Sequence, residues 1–575
     1  MSNLLSKFKQ NQIADLIDSI DSPVVSVNIV AGGSGYANGD NLVFDGDGEP
    51  EASGKIFTSN TGAVAYVAMT NGGSYVVTPN VTIQTANGFG AALQAKLDND
   101  NFYVFAARPK PYQPDDGVAE PNWENDYDSF FFMHEQMYFG RKLANTDVSF
   151  MVRTRPWVAN TIYAEYDDKD HNFPSSAFYV MTSDNHVFKC IYNNNRAPSL
   201  TEPNVLQTEG LPATLSDGYR WKYMYTMTGP DRTKFSTQNF SPAKQNPEVQ
   251  AGAIPGGILN IKVEAGGSNF PTNSGNILSI DGNRITIAAN ASAQTNYYAN
   301  STITIFGAGN VITNRRITES FLQGNNKIVV VANSFNSNQA SQGYSYSIAP
   351  TLQVVGDGTG FEGYFTVNPL NQSIVSVEVI DAGTNYNQAV ATAISGTGFG
   401  QGAQLRPIIS PKGGHGSDTF GELYCQHVGI TAEFANTFQF PTDVTMRTVG
   451  LLKNPTVNGQ LFTELSFNQC SNVAVSNTTA QNFDLGETVI GNVSRARGQV
   501  AFSNSSLLII TGYKGGFIPG EIINGQDSGV QFTVTAVQSQ PEIDVYSGEI
   551  LYIQNITPTE RSPTTAEQLK LCIRL

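Results

Sequence analysis

Charge is what this sequence has least of for its size. Only 14% of its 575 residues are Asp, Glu, Lys or Arg, where a soluble chain usually carries about a quarter. The 33 basic residues are outnumbered by 49 acidic ones, giving a formal net charge of −16. Nucleic acid and anionic membrane both demand concentrated Lys and Arg, so neither is an expected partner. Cysteine is scarce too: Cys190, Cys425, Cys470 and Cys572 lie far apart without C-x-x-C spacing. That excludes a disulfide framework and leads us to expect reduced, mostly buried thiols in a protein assembled in a reducing cytoplasm. No apolar run reaches the roughly 18 residues of a membrane span. The opening stretch "MSNLLSKFKQNQIADLIDSI" has no signal-peptide apolar segment or cleavage site.

Catalytic signatures are missing as well. "HEQMY" at 134–138 begins like a zinc-protease helix, but Tyr138 stands where the second histidine ligand is needed. "GFGQGA" at 398–403 runs into "QLRPIISP". That is not a helix whose N-terminus could receive a pyrophosphate. "PKGGHGSD" at 411–418 gathers Lys412, His415, Ser417 and Asp418 on one glycine-rich loop. A nucleophilic triad instead needs groups converging from separate rigid elements. "FDGDGE" at 44–49 alternates carboxylates but lacks the closing bidentate Glu of a calcium loop. The acidic stretch "PDDGVAEPNWENDYD" at 114–128 reads as a solvated loop. No catalytic, cofactor-binding or metal-ligating residue is therefore expected, and no cofactor.

What the chain does have is glycine, 54 of them, arranged in repeats. "VVSVNIVAGGSGY" (24–36) returns as "ILNIKVEAGGSNF" (258–270), "IVSVEVIDAGTNY" (374–386) and, more loosely, "AVAYVAMTNGGSY" (63–75). Each copy alternates apolar and polar residues as a half-buried strand does. A glycine turn and an aromatic (Tyr36, Tyr75, Phe270 or Tyr386) follow. Glycine-rich return strands at 88–97, 358–367 and 396–405 come after three of the copies.

A second repeat pairs "FDLGETVIGNVSRARGQV" (483–500) with "FIPGEIINGQDSGVQFTV" (517–534), 34 residues apart without a gap. Phe483/Phe517, Gly486/Gly520, Glu487/Glu521, Gly491/Gly525 and Ser494/Ser528 coincide. Aromatic strands such as "FYVFAARPKPY" and "DGYRWKYMYTM", with Trp123, Trp157 and Trp221, occupy 101–250.

The expected fold is mainly β (β-rich α+β): a multi-domain, β-sandwich-like body interrupted by small β-modules. An N-terminal helix over 1–22 carries Ile13, Leu16, Ile17 and Ile20 on one stripe. The parse that follows is paired modules at 23–98, an aromatic-rich body at 99–250 and inserted modules at 251–410. A body segment at 411–455, a duplicated module at 456–540 and C-terminal body strands at 541–575 complete it.

With the modules set aside, the segments "SKFKQNQIADLIDSI", "YVFAARPKPY", "SFMVRTRPWVANTIYAEYDD", "DGYRWKYMYTM", "FPTDVTMRTVGLLKNP" and "YSGEILYIQNITP" with "EQLKLCIRL" are similar, in this order, to one phage family. They resemble the baseplate wedge protein of T-even-type contractile-tailed phages, the product of the eighth gene, in a cyanophage-like version with glycine-rich insertions. The resemblance covers about half the chain and rests on segment order. It implies a non-catalytic structural subunit, present as two copies per wedge, contacting other wedge proteins within the virion. A receptor- or carbohydrate-binding tail protein is the alternative that repeated aromatic β-modules would also suit, and a cell-wall enzyme is a third.

Overall fold

The computed structural model describes residues 23–575 except 47–50, 60, 74, 76–77, 98–99, 109–126, 171–174, 308–309, 335–342, 397, 435–441, 443, 478–480, 562–565 and 575. The expected helix over 1–22, Trp123 and most of the acidic stretch at 114–128 lie outside the described residues. Strand makes up 53% of the described residues and helix 5%. The fold is mainly β, as the low charge and abundant glycine led us to expect. The described residues form two compact units: one contains 150–426, the other 23–149 with 427–574. The aromatic-rich stretch 99–250 is thus divided between them at Ser149.

In the first unit, strands Tyr179–Met181, His186–Tyr192 and Arg220–Thr226 form an antiparallel sheet. Unbroken runs such as "VFKCIY" are covered on both faces, and every residue from Val187 to Tyr192 is buried. Trp221 belongs to this core, stacked on Tyr219 with ring centroids 5.6 Å apart.

The glycine repeats of this unit are nested. Strand Ile258–Ser268 pairs with Gln401–Ile409, the far end of the insertion, while Ile374–Thr384 pairs with Thr359–Val367, which precedes it. Between them lies an eight-stranded sheet built around Ser301–Gly307, Asn310–Gln323 and Ser345–Gly356. The closing aromatic explains the glycines. The Phe270 ring occupies the place a side chain would take at Gly400, and Tyr386 does so at Gly358. Tyr36 covers Gly88 in the same way in the other unit. The glycine expected in a turn adopts φ near +60° in all four copies, at Gly33, Gly73, Gly267 and Gly383, a conformation that a Cβ resists. Gly33, Gly267 and Gly383, however, stand within the paired strands Val24–Ser34, Ile258–Ser268 and Ile374–Thr384.

In the second unit, residues 24–97 form one six-stranded sheet. Its strand Asn41–Asp45 alternates exposed and buried residues strictly. A five-stranded sheet runs in the order Ser466–Asn468, Met137–Lys142, Phe102–Ala107, Thr445–Lys453, Glu549–Glu560. Its central strand Phe102–Ala107 is buried throughout.

The duplicated segment closes into a six-stranded barrel between Ser471 and Val537. Its core pairs residues at the repeat spacing, Val489 with Ile523, Ala496 with Val530, Val500 with Val534. The two halves exchange carboxylates. Glu487 Oε2 accepts the N–H groups of Asp527 and Ser528, each at 3.0 Å, and Glu487 Oε1 accepts the Ser528 hydroxyl at 2.7 Å. Glu521 does the same for Val493 and Ser494, at 3.1 and 2.9 Å for the amides and 2.7 Å for the hydroxyl. A Cβ on Gly491 would stand 2.7 Å from Glu521 Oε2, and one on Gly525 would stand 2.6 Å from Glu487 Oε2. The five coincident residue types of the repeat are therefore largely the parts of one reciprocal clasp.

Burial opposes ionisation of both glutamates, but these hydrogen bonds outweigh it and hold each carboxyl below its usual pKa. A lowered folded pKa contributes stability that is present above the ordinary carboxylate range and is lost as pH falls through the folded value. We expect Glu487→Gln to destabilise the barrel by about 1–3 kcal/mol, since an amide must then face backbone donors. Hydrogen exchange of 471–537 at pH 7 and pH 4 checks this. The variant should lose stability mainly at pH 7 and differ less from the parent at pH 4.

Candidate functional site

The "PKGGHGSD" loop is the one stretch where several reactive residue types stand together, and the structure shows what it is built for. Gly414 lies against the backbone of Ile254 and Gly416 against Val249, with φ of +99° and +92°. No side chain could fit at either position. Asp418 caps the short helix Thr419–Glu422 by accepting the Gly421 N–H at 2.8 Å. Gln245 accepts the Thr419 N–H at 2.8 Å and donates to the Gly416 carbonyl at 3.0 Å. This bracing turns His415 and Glu422 inward together.

They meet Lys189, from the middle of strand His186–Tyr192. Lys189 Nζ is 2.7 Å from Glu422 Oε2 and 3.1 Å from His415 Nδ1. It also lies 4.2 Å from the centroid of the Tyr166 ring. The His415 ring meets the same tyrosine edge-on at 4.7 Å. Glu422 Oε1 accepts the Gly416 N–H at 2.6 Å and the Asp418 N–H at 3.4 Å. Lys189, His415 and Glu422 are 0%, 3% and 6% exposed.

Lys189 and the Gly416 and Asp418 N–H groups all donate to Glu422, so the carboxylate form is the one this site fits. Burial would raise its pKa, but the Lys189 ammonium holds it down to about 2. Burial pulls the Lys189 ammonium down, and Glu422 opposes that. His415 is pushed down to about 4, first by burial and then by the neighbouring Lys189. It is therefore a neutral acceptor for the lysine at pH 7. Lys222, opposite Lys189 in the ladder, donates instead to the Thr208 carbonyl at 3.1 Å.

Chemically this arrangement has the constituents of an acid–base relay but no access. The Ser417 hydroxyl donates to the carbonyls of Gly414 (2.8 Å) and Lys412 (3.1 Å), and its hydrogen bonds do not run to His415. What the cluster does is join a loop to a strand. It also fixes the two ends of the nested insertion, where the Ser410 N–H donates to the Gly257 carbonyl at 3.1 Å.

Of the loop's four reactive residues, sequence reasoning had grouped His415 with Lys412, Ser417 and Asp418. The structure groups it with Lys189 and Glu422. The missed signal was a lone lysine inside the apolar run "VFKCIY", a charge that cannot be buried without a partner.

The other motifs resolve simply. His134 of "HEQMY" is buried, held neutral by burial with its pKa near 4, and packs on Phe130 at 4.3 Å. "GFGQGA" leads into strand Gln401–Ile409. "FDGDGE" has Asp45 at a strand end, and residues 47–50 lie outside the described residues. Among the described residues, no three His, Cys, Asp or Glu side chains gather as a metal site. No helix among the described residues is long and apolar enough to cross a membrane. Cys190, Cys425 and Cys470 are buried and Cys572 half-buried, all as free thiols. No family model matches the chain, and no curated protein matches it.

Removing one partner of a buried ion pair strands the other, typically at a cost of about 3–5 kcal/mol, whereas an apolar replacement of both is often near neutral. We expect Lys189→Met to destabilise the first unit by that order and Lys189→Met with Glu422→Leu to recover most of it. His415 binds a proton more readily unfolded than folded. Its contribution is therefore complete above its ordinary pKa of 6.5 and is lost as pH falls towards about 4. His415→Asn should flatten the stability loss in that window, as read by chemical denaturation at a series of pH values.

Proposed function

We propose that this chain is a structural subunit of a contractile phage tail baseplate wedge. In this reading it is assembled in the host cytoplasm, resides in the virion, and links neighbouring wedge proteins as two copies per wedge. Its partners are proteins, not nucleic acid or membrane, and it carries no catalytic residue. The observation that carries the reading is the joining of resemblant segments. "YVFAARPKPY", "FPTDVTMRTVGLLKNP" and "YSGEILYIQNITP" contribute the adjacent strands Phe102–Ala107, Thr445–Lys453 and Glu549–Glu560. More than 300 residues separate the first two in sequence. Three of the seven resemblant segments thus lie side by side in one sheet, while "SFMVRTRPWVANTIYAEYDD", "EQLKLCIRL" and "DGYRWKYMYTM" supply strands of two others.

A docking surface for the first unit is at hand beside Trp157. Val158, Ile162 and Leu200 are 54%, 55% and 64% exposed, around the bridge between Thr161 and Ser199. The Trp157 indole N–H donates to Ser199 Oγ at 3.2 Å, fixing the base of this patch. Apolar side chains held this way suit the centre of a protein interface. Trp157 remains a candidate anchor, whereas the core position of Trp221 makes it a packing residue.

The alternative, a receptor- or carbohydrate-binding tail protein, would place the chain at a fibre tip, not in six-fold contact with wedge proteins. The test is to mix the purified chain with wedge proteins of the same phage and follow complex formation by size-exclusion chromatography. We expect a complex that Ile162→Asp with Leu200→Asp weakens by about tenfold or more without unfolding the chain. Failure of the parent chain to bind any wedge protein would overturn the proposal.

A further inference from the structure

Two clefts flank the eight-stranded sheet of the first unit, and they differ in charge. One, of about 460 Å³, is lined by Arg315, Arg316 and Glu362 among others. The second, of about 480 Å³, has no charged side chain in its lining. Its walls carry two amides, Asn273 and Asn290, hydroxyls that include those of Ser347 and Thr366, and three aromatics, Phe306, Tyr364 and Phe365. Phe306 and Tyr364 stand edge to face, 5.9 Å between centroids. We propose that this second cleft binds a neutral saccharide, an activity beyond the wedge role and independent of it.

The chemistry points to a sugar for three reasons. A sugar ring offers an apolar face of C–H groups to an aromatic and a rim of hydroxyls to planar amides, which both donate and accept. The cleft supplies both, and its volume falls in the usual range for small-ligand sites. The absence of charge in its lining disfavours phosphate, nucleotide and carboxylate ligands, which would instead require cations.

The groups are also held in place. Asn273, Phe306, Ser347 and Tyr364 all stand on paired strands, and the Tyr346 hydroxyl donates to Asn273 Oδ1 and orients that amide. The Asn273 amide nitrogen approaches Asn290 Oδ1 only at 3.5 Å, the far limit of a hydrogen bond. Its donor capacity is left largely for a ligand.

Saturation-transfer NMR on the full chain tests this with methyl β-galactoside, methyl α-glucoside and maltotriose, and with glucose 6-phosphate as the charged comparator. We expect transfer to at least one neutral sugar and weaker transfer to the phosphate. Asn290→Ala, at an exposed position, should reduce binding about tenfold while leaving the fold intact. Tyr364→Ala should abolish it, and Tyr364→Phe should keep much of it, since stacking survives. Absence of transfer from all three neutral sugars, equal transfer to the phosphate, or binding unchanged in Asn290→Ala would overturn the proposal.

Discussion

The first unit depends on a single buried ion pair. Lys189 and Glu422 sit 2.7 Å apart with almost no exposure, and neither could be inside without the other. Their pairing draws the loop 411–418 down onto the sheet. The loop in turn packs Gly414 onto Ile254 and sets Ser410 against Gly257. These contacts hold the two ends of the nested insertion side by side. An insertion some 150 residues long, 258–409, is tolerated because its ends are close together and pinned. The same loop invites a catalytic reading in sequence. His415, Ser417 and Asp418 are instead committed to core and backbone, and Lys412 is exposed.

The second unit solves a similar problem with carboxylates and no cations. Glu487 and Glu521 each hold the other repeat's loop, so neither half of the barrel is complete alone. Closure also removes the open strand edges that a single repeat would expose. Both units therefore use an acidic side chain, surrounded by donors, to tie distant stretches of chain. In a sequence so poor in charge, the acids that do become buried serve as such ties.

Much of this was legible beforehand. Period-two alternation marked the repeat strands Val24–Ser34, Ile258–Ser268 and Ile374–Thr384, and the repeat register of 34 residues gave the paired core positions of the barrel. The aromatic after each glycine turn was expected to fold back, and Phe270, Tyr386 and Tyr36 do so onto glycines. The pairing of the return strands was not legible. Sequence order places 358–367 after one unit, yet its hydrogen bonds run to the next. Nothing local distinguishes the two glycine-rich returns, so only long-range register decides between them. The Lys189 cluster was hidden for the same reason: Lys189 is over 200 residues from both His415 and Glu422. The split of the aromatic body at Ser149 was equally invisible, because both halves share one composition.

The central claim, that the Lys189–Glu422 pair fixes the ends of the 258–409 stretch, is tested most directly by hydrogen exchange on Glu422→Gln. The account predicts faster exchange at residues 254–257 and 410–418 together, with the barrel at 471–537 unchanged. Acceleration confined to the Gly416 and Asp418 amides that face Glu422, with 254–257 still fully protected, would contradict it.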